Sequence, residues 1–213
     1  MPASGFIQLG PCDEVPGRRF AEPEHSLADA HVLDAMRLRL AETLRQANIS
    51  ADDPLSRELY IQSLPEDGAR LHRIVILSRA LLQSARELTF VGFFGQKRGD
   101  ANPAVLQDVD TELLHEFLEH TYVLSYSSLE LPDGNWANLV LLLHADGIEH
   151  WRASQKHAYA ARELAPLYYR SIRLHNGMLP GGLASRPVIQ STKYYAFERD
   201  GWWQAIRLFR SEQ

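Results

Sequence analysis

Apolar side chains recur at three- and four-residue steps at Leu33, Met36, Leu40, Leu44 and Ala47. That spacing makes one buried stripe on a helix. It predicts a helix from Ser26, a capping residue, to about Ala47, with Asn48 as the stop. Residues 1–25 carry prolines and glycines without a period and read as an extended arm. A second amphipathic segment, about Ala69 to Ala85, places Leu71, Ile74, Val75, Leu81, Leu82 and Ala85 on one face. Its centre, Ile74-Val75-Ile76-Leu77, also suits a buried strand, but the wider window keeps the helical period. Residues 26–86 are therefore expected to be a helical N-terminal extension.

Downstream the pattern changes. Thr89, Phe90, Val91, Phe93 and Phe94 form a short β-rich run. Asn102 and Pro103 then start a helix that continues to about His120, with Leu106, Val109, Leu113 and Phe117 as its stripe. Two strands, 121–131 and 136–145, flank the turn Pro132-Asp133-Gly134-Asn135. A long helix is expected from about Ile148 to Asn176, bent at Pro166 and ended by Gly177. The segment 188–209 closes the chain as a strand or hairpin turning at Asp200-Gly201. The element order over 87–213 is β-α-β-β-α-β. It predicts an α+β, ferredoxin-like antiparallel sheet with two helices on one face.

Composition narrows the function classes. The chain has 213 residues, 45% hydrophobic and 23% charged, with a net charge of −5. These are values of a soluble globular protein, and the acidic balance argues against a nucleic-acid partner. No apolar run reaches the roughly 18–20 residues that cross a membrane, and the opening residues lack a charged flank before an apolar stretch. No membrane association and a cytoplasmic location are expected. Cys12 is the single cysteine, so neither an intrachain disulfide nor a cysteine-based zinc site can form.

Phosphate-loop, dinucleotide-binding and nucleophile-elbow motifs are missing. His115 and His120 are five apart, about 140° around a helix, the wrong spacing for a helical zinc pair. His144, Asp146, Glu149 and His150 gather at a strand-to-helix junction. They suit either a metal site or a helix start with Asp146 and Glu149 in a capping box.

The richest chemistry lies in the segment His150 to Asn176. His150, Ser154, His157, Ala161, Leu164 and Tyr168 share a four-three stripe, flanked by the small residues Ala153, Ala158 and Ala160. A histidine beside apolar space can bind a flat ligand, ligate iron or act as a base. His175, near the expected helix end, suits the negative end of the helix dipole. Arg152, Lys156, Arg170 and Arg173 offer pairing to a carboxylate, and Tyr168, Tyr169, Tyr194 and Tyr195 offer hydroxyls.

The element order, together with Trp151, Ser154 and His157 in a W-x-x-S-x-x-H arrangement, resembles the dimeric α+β barrel superfamily. That superfamily includes antibiotic-biosynthesis monooxygenase-like proteins, haem-degrading oxygenases and chlorite-dismutase-like proteins. The resemblance spans about Glu87 to Phe209. It implies a small apolar or flat ligand held between helices and sheet, and a homodimer whose two sheets pack face to face. It also implies haem as a candidate cofactor, with His157 or His175 as its ligand and Trp151, Ser154, Arg173 and Tyr168 around it. His157 is the candidate catalytic residue of a monooxygenase-like reaction. Two rival expectations are a non-catalytic interaction or regulatory module that assembles through the sheet, and a metal-dependent enzyme using His144, Asp146 and His150.

Overall fold

The computed structural model describes residues 5–46, 57, 59–67, 70–102, 116–198 and 201–209. Along the chain lie β1 (Ile7–Leu9), α1 (Pro23–Gln46), β2 (Tyr60–Glu66), β3 (Arg70–Ile76), α2 (Arg79–Ser84) and β4 (Leu88–Lys97). Helical residues 116–119 (α3) precede β5 (Val123–Glu130) and β6 (Trp136–Leu142). A broken helical arm follows: α4 (Asp146–Ala153), α5 (Gln155–Tyr159), a π turn (Ala160–Leu164) and α6 (Ala165–Tyr168). The chain then returns through β7 (Tyr169–Leu183), β8 (Val188–Glu198) and β9 (Gly201–Leu208).

Among the described residues, nine strands form one sheet in the order β1-β9-β8-β7-β4-β6-β5-β3-β2. Neighbours are antiparallel except β1, which runs parallel to β9. The α+β class is as expected, but the sheet is more than twice the size of a simple ferredoxin-like one.

Side-chain alternation along β4 separates the two faces. Phe90, Gly92 and Phe94 point one way. Their ladder partners are Leu141, Leu139 and Ala137 on β6, and Gly177, His175 and Arg173 on β7. Against this face lies α1, whose buried Leu33, Met36, Leu40 and Leu44 join Ile74, Ile76, Phe90, Phe94 and Leu139 in the main core. Gly92 permits the approach, because a Cβ there would stand 2.8 Å from a Leu33 methyl. The opposite face carries Val91 and Phe93. It is covered by α3 and α4 through Phe117, Ile148 and Trp151, packed on Val75, Val123, Val140 and Leu142.

Three expectations are corrected. Helices cover both faces of the sheet rather than one, with α1 on one face and α3 and α4 on the other. The expected second helix, Ala69 to Ala85, is instead β3 followed by the short α2; its ambiguous apolar centre is the strand. The long helix expected to Asn176 breaks at Ser154 and gives way to strand at Tyr169. Gly177 is therefore no helix stop. It lies in β7, where a Cβ would sit 2.2 Å from the Val188 carbonyl oxygen. The expected helix 103–120 falls mostly outside the described residues, as do Ala47, Asn48 and His115.

Candidate ligand site between the helical arm and the sheet

The structure divides the sequence-derived site residues between the two faces. Arg173 and His175 alternate along β7 and face α1, where they meet Asp29. Arg173 holds Asp29 in a bidentate pair, with Nη2 to Oδ1 at 2.8 Å. His175 Nε2 lies 2.8 Å from Asp29 Oδ2, and Nδ1 lies 2.7 Å from Thr192 Oγ1. A carboxylate only accepts, so in the neutral ring Nε2–H donates to Asp29 and Nδ1 accepts from the Thr192 hydroxyl. Exposure is 4% at Asp29, 8% at Arg173 and 0% at His175 and Thr192.

Burial is the largest influence on Asp29 and raises its pKa. The hydrogen bonds and charges of His175 and Arg173 outweigh it, leaving the carboxyl below its ordinary 3.8. Burial also dominates at His175 and lowers it below 6.5, against the opposing pull of Asp29. The group is a closed fastening between α1 and the sheet. Lone buried charges are costly, and these are mutually answered.

The other face is less closed. Trp151 on α4 meets Phe117 edge-on at 5.1 Å between ring centres, and His157 at 5.0 Å. Ser154 sits at the α4–α5 break. Its hydroxyl accepts from the His157 N–H at 3.2 Å and donates to Glu116 Oε1. His120 Nε2 is 3.7 Å from the same oxygen, beyond hydrogen-bond reach. The end of α3 is fixed by Arg57, which donates to the carbonyls of Phe117, His120, Thr121 and Val123 at 2.9 Å.

Burial lowers the His157 pKa, with Arg152 and His120 acting the same way and Glu116 opposing them. A neutral imidazole is suited to accept a proton.

The floor beneath is half-buried and mixed in character. Val91, Val140 and Tyr126 belong to the cluster around Trp151. Phe93, Leu174 and Tyr195 belong to the neighbouring cluster of Tyr168, Tyr169, Ile172 and Phe197. Val91 and Phe93 are alternate residues of β4, so the two clusters share one continuous face. Burial raises the hydroxyl pKa of both Tyr168 and Tyr195. Four buried atoms on this side lack a hydrogen-bond partner among the described residues: Trp151 Nε1, Asn176 Oδ1, Glu116 Oε2 and His120 Nε2. Buried polar atoms are rarely left this way; here they accompany half-buried apolar surface, whereas Ser26, His72, Ser125 and Ser127 leave such atoms in the tightly packed α1 side.

Trp151, Ser154, His157 and Tyr168 thus share a face, whereas Arg173 and His175 are on the other. Lys156 and Arg170 are exposed. At the junction of β6 and α4, His150 Nδ1 is 3.1 Å from the Asp146 carbonyl oxygen and Glu149 pairs with Arg152. The expected cap is not made by Asp146; Ala145 occupies that position. Among the described residues, no three of His, Cys, Asp and Glu are grouped to hold a metal. No helix among them is long and apolar enough to cross a membrane. Glu116 and Asp29 were not singled out by sequence. Asp29 carried a usable signal, since it continues the α1 stripe four residues before Leu33.

No family model matches the chain, and no curated protein matches it. Two crystal structures of SnoaB, a cofactor-independent oxygenase from Streptomyces nogalater, resemble it, one of them of a point mutant. Each is 20% identical, covers 44% of this chain and 91% of its own, and gives a TM-score of 0.34. The expectation of haem is corrected. His175 is fully buried with both ring nitrogens engaged by Asp29 and Thr192, which leaves neither nitrogen for iron.

Proposed function

We propose that this protein binds a small, flat, largely apolar molecule between the α4–α5 arm and the sheet, with His157 as the base that takes a proton from it. The observation that carries this reading is the set of unpartnered buried polar atoms, Trp151 Nε1 and Asn176 Oδ1 foremost, beside half-buried Val91, Phe93, Tyr126 and Leu174. The central strands β7-β4-β6-β5 lie in the order of a split β-α-β unit, set within the larger sheet, and this supports placing the ligand beneath the arm.

A monooxygenase-like reaction fits a protonatable base in a partly water-excluded site. Loss of a C–H proton to His157 leaves a carbanion that dioxygen attacks to give a peroxide. Departure of water then turns a CH2 group into a carbonyl. The substrate supplies all the electrons, so no further reductant enters the balance.

Isothermal titration with 2-naphthol tests the binding step. Saturable binding that weakens about tenfold in Trp151→Ala and in His157→Ala is expected, the size of a lost stacking contact or hydrogen bond. Equal binding by all three proteins, or none by any, contradicts the reading.

A second reading, assembly through the sheet, is favoured by the open edge strand β2, where Ile61 is 46% exposed on the same face as Leu71 at 42%. With α1 filling one face, a homodimer would form at that edge. Light scattering that finds only monomer across a wide concentration range contradicts it.

A further inference from the structure

We propose that the ligand carries a carboxylate, received by Lys193 and Tyr195 on β8. This rests on the ligand site above and adds the class of molecule that it takes.

Lys193 and Tyr195 are alternate residues of one strand and so point to one face. Their intervening neighbour Tyr194 faces the opposite way, fully buried with Ala21 and Ala205. Across the ladders Lys193 stands beside Leu174 and Ile206, and Tyr195 beside Ile172 and Gln204. Leu174 and Tyr195 belong to the apolar floor already described. Phe6, just before β1, closes this end: its ring centre is 5.4 Å from Lys193 Nζ and 5.7 Å from the Tyr195 ring. The rim is held firmly. β1 pairs with β9, and Arg207 donates to the carbonyls of Gly10, Asp13 and Ala21.

What this corner lacks is an anion. Among the described residues no carboxylate lies within 4 Å of Lys193 Nζ, and the Tyr195 hydroxyl makes no hydrogen bond. Phe6 offers the ammonium only a ring face, a weaker partner than a carboxylate. The nearby charges do not balance. Arg152 pairs with the exposed Glu149 at 3.0 Å, leaving Lys193 in excess. Burial lowers the Lys193 pKa, and Arg152 adds to the effect while Glu149 opposes it. Arg152 also acts on Tyr195 and on His157. A flat molecule anchored by its carboxylate at Lys193 and Tyr195 would extend its rings along Leu174 and Phe93 toward Trp151 and His157.

The test compares two probes with the same ring system, 2-naphthoate and neutral 2-naphthamide, by isothermal titration. Naphthoate is expected to bind about tenfold more tightly, as for one charge-assisted hydrogen bond. Lys193→Met should remove that preference by weakening naphthoate about tenfold more than naphthamide, and Tyr195→Phe should reduce it. Thermal unfolding of each variant verifies folding. Equal affinities in the natural protein, or an equal loss for both probes in Lys193→Met, overturn the carboxylate assignment alone. Failure of both probes to bind overturns the ligand site and the assignment with it.

Discussion

Within one cluster on the α1 side, Asp29, Arg173, His175 and Thr192 leave no buried polar atom unanswered, although Ser26, His72, Ser125 and Ser127 elsewhere on that side do; in the cluster on the α4 side, Trp151, Asn176, Glu116 and His120 each leave one open. The residue types are alike, with an acid, histidine, cation and hydroxyl on either face. Completion of the network separates them. A buried charge cluster that satisfies itself fixes one element against another and has nothing left to offer a ligand. A half-buried cluster with open donors and acceptors is less stable by itself and is available for binding.

The comparison is broken most forcefully through Asp29. Asp29→Ala leaves Arg173 and His175 buried without their shared anion and is expected to cost about 3–5 kcal/mol in urea unfolding. A loss below about 1 kcal/mol would mean that α1 does not depend on this fastening.

Acid should have the next largest effect. His175 titrates lower in the folded chain than its ordinary 6.5, so the unfolded chain binds the proton first, and stability falls as pH drops below 6.5. Burial lowers His72 and His157 too, with the same sign. Asp29 is depressed below 3.8, so its contribution is present above that value and is lost as pH falls through its lower folded pKa. Urea midpoints should decline in these two stages, with the first reduced though not abolished in His175→Gln. A midpoint that stays flat from pH 7 to 5 argues against a neutral buried His175.

On the open face the expected stability changes are small. His157→Gln should shift unfolding by less than about 1 kcal/mol while weakening 2-naphthol binding. Lys193→Met should be smaller still, within about 0.5 kcal/mol, because no ion pair is broken. A cost as large as that of Asp29→Ala at either position would place these residues among the structural fastenings.

The sequence made some of this visible. The α1 stripe, β4, the β5–β6 hairpin and the final turn at Gly201 follow from periodicity and turn chemistry. β7 did not, and the reason lies in its buried face. Ser171, Arg173, His175 and Gly177 point toward α1, so an inward strand face carries polar or small residues and the hydrophobic alternation disappears. That face is polar because Asp29, 144 and 146 residues earlier, supplies the complement. Likewise, Ser154 was read within one continuous helix, whereas its hydroxyl links His157 to Glu116 at a break between two helices. Trp151 and His157 stand out in sequence only through the W-x-x-S-x-x-H arrangement; six residues apart on one continuous helix they would not face each other, and the break at Ser154 brings their rings together. Lys193 gains significance only once Phe6 and Arg152 are brought beside it by the folded chain.

The most direct measurement follows the imidazole resonances of His157 and His175 by NMR while 2-naphthol is added. The His157 signals should move and saturate while those of His175 remain in place. Movement at His175 with His157 unchanged would put the ligand on the α1 side and contradict the division between the two faces.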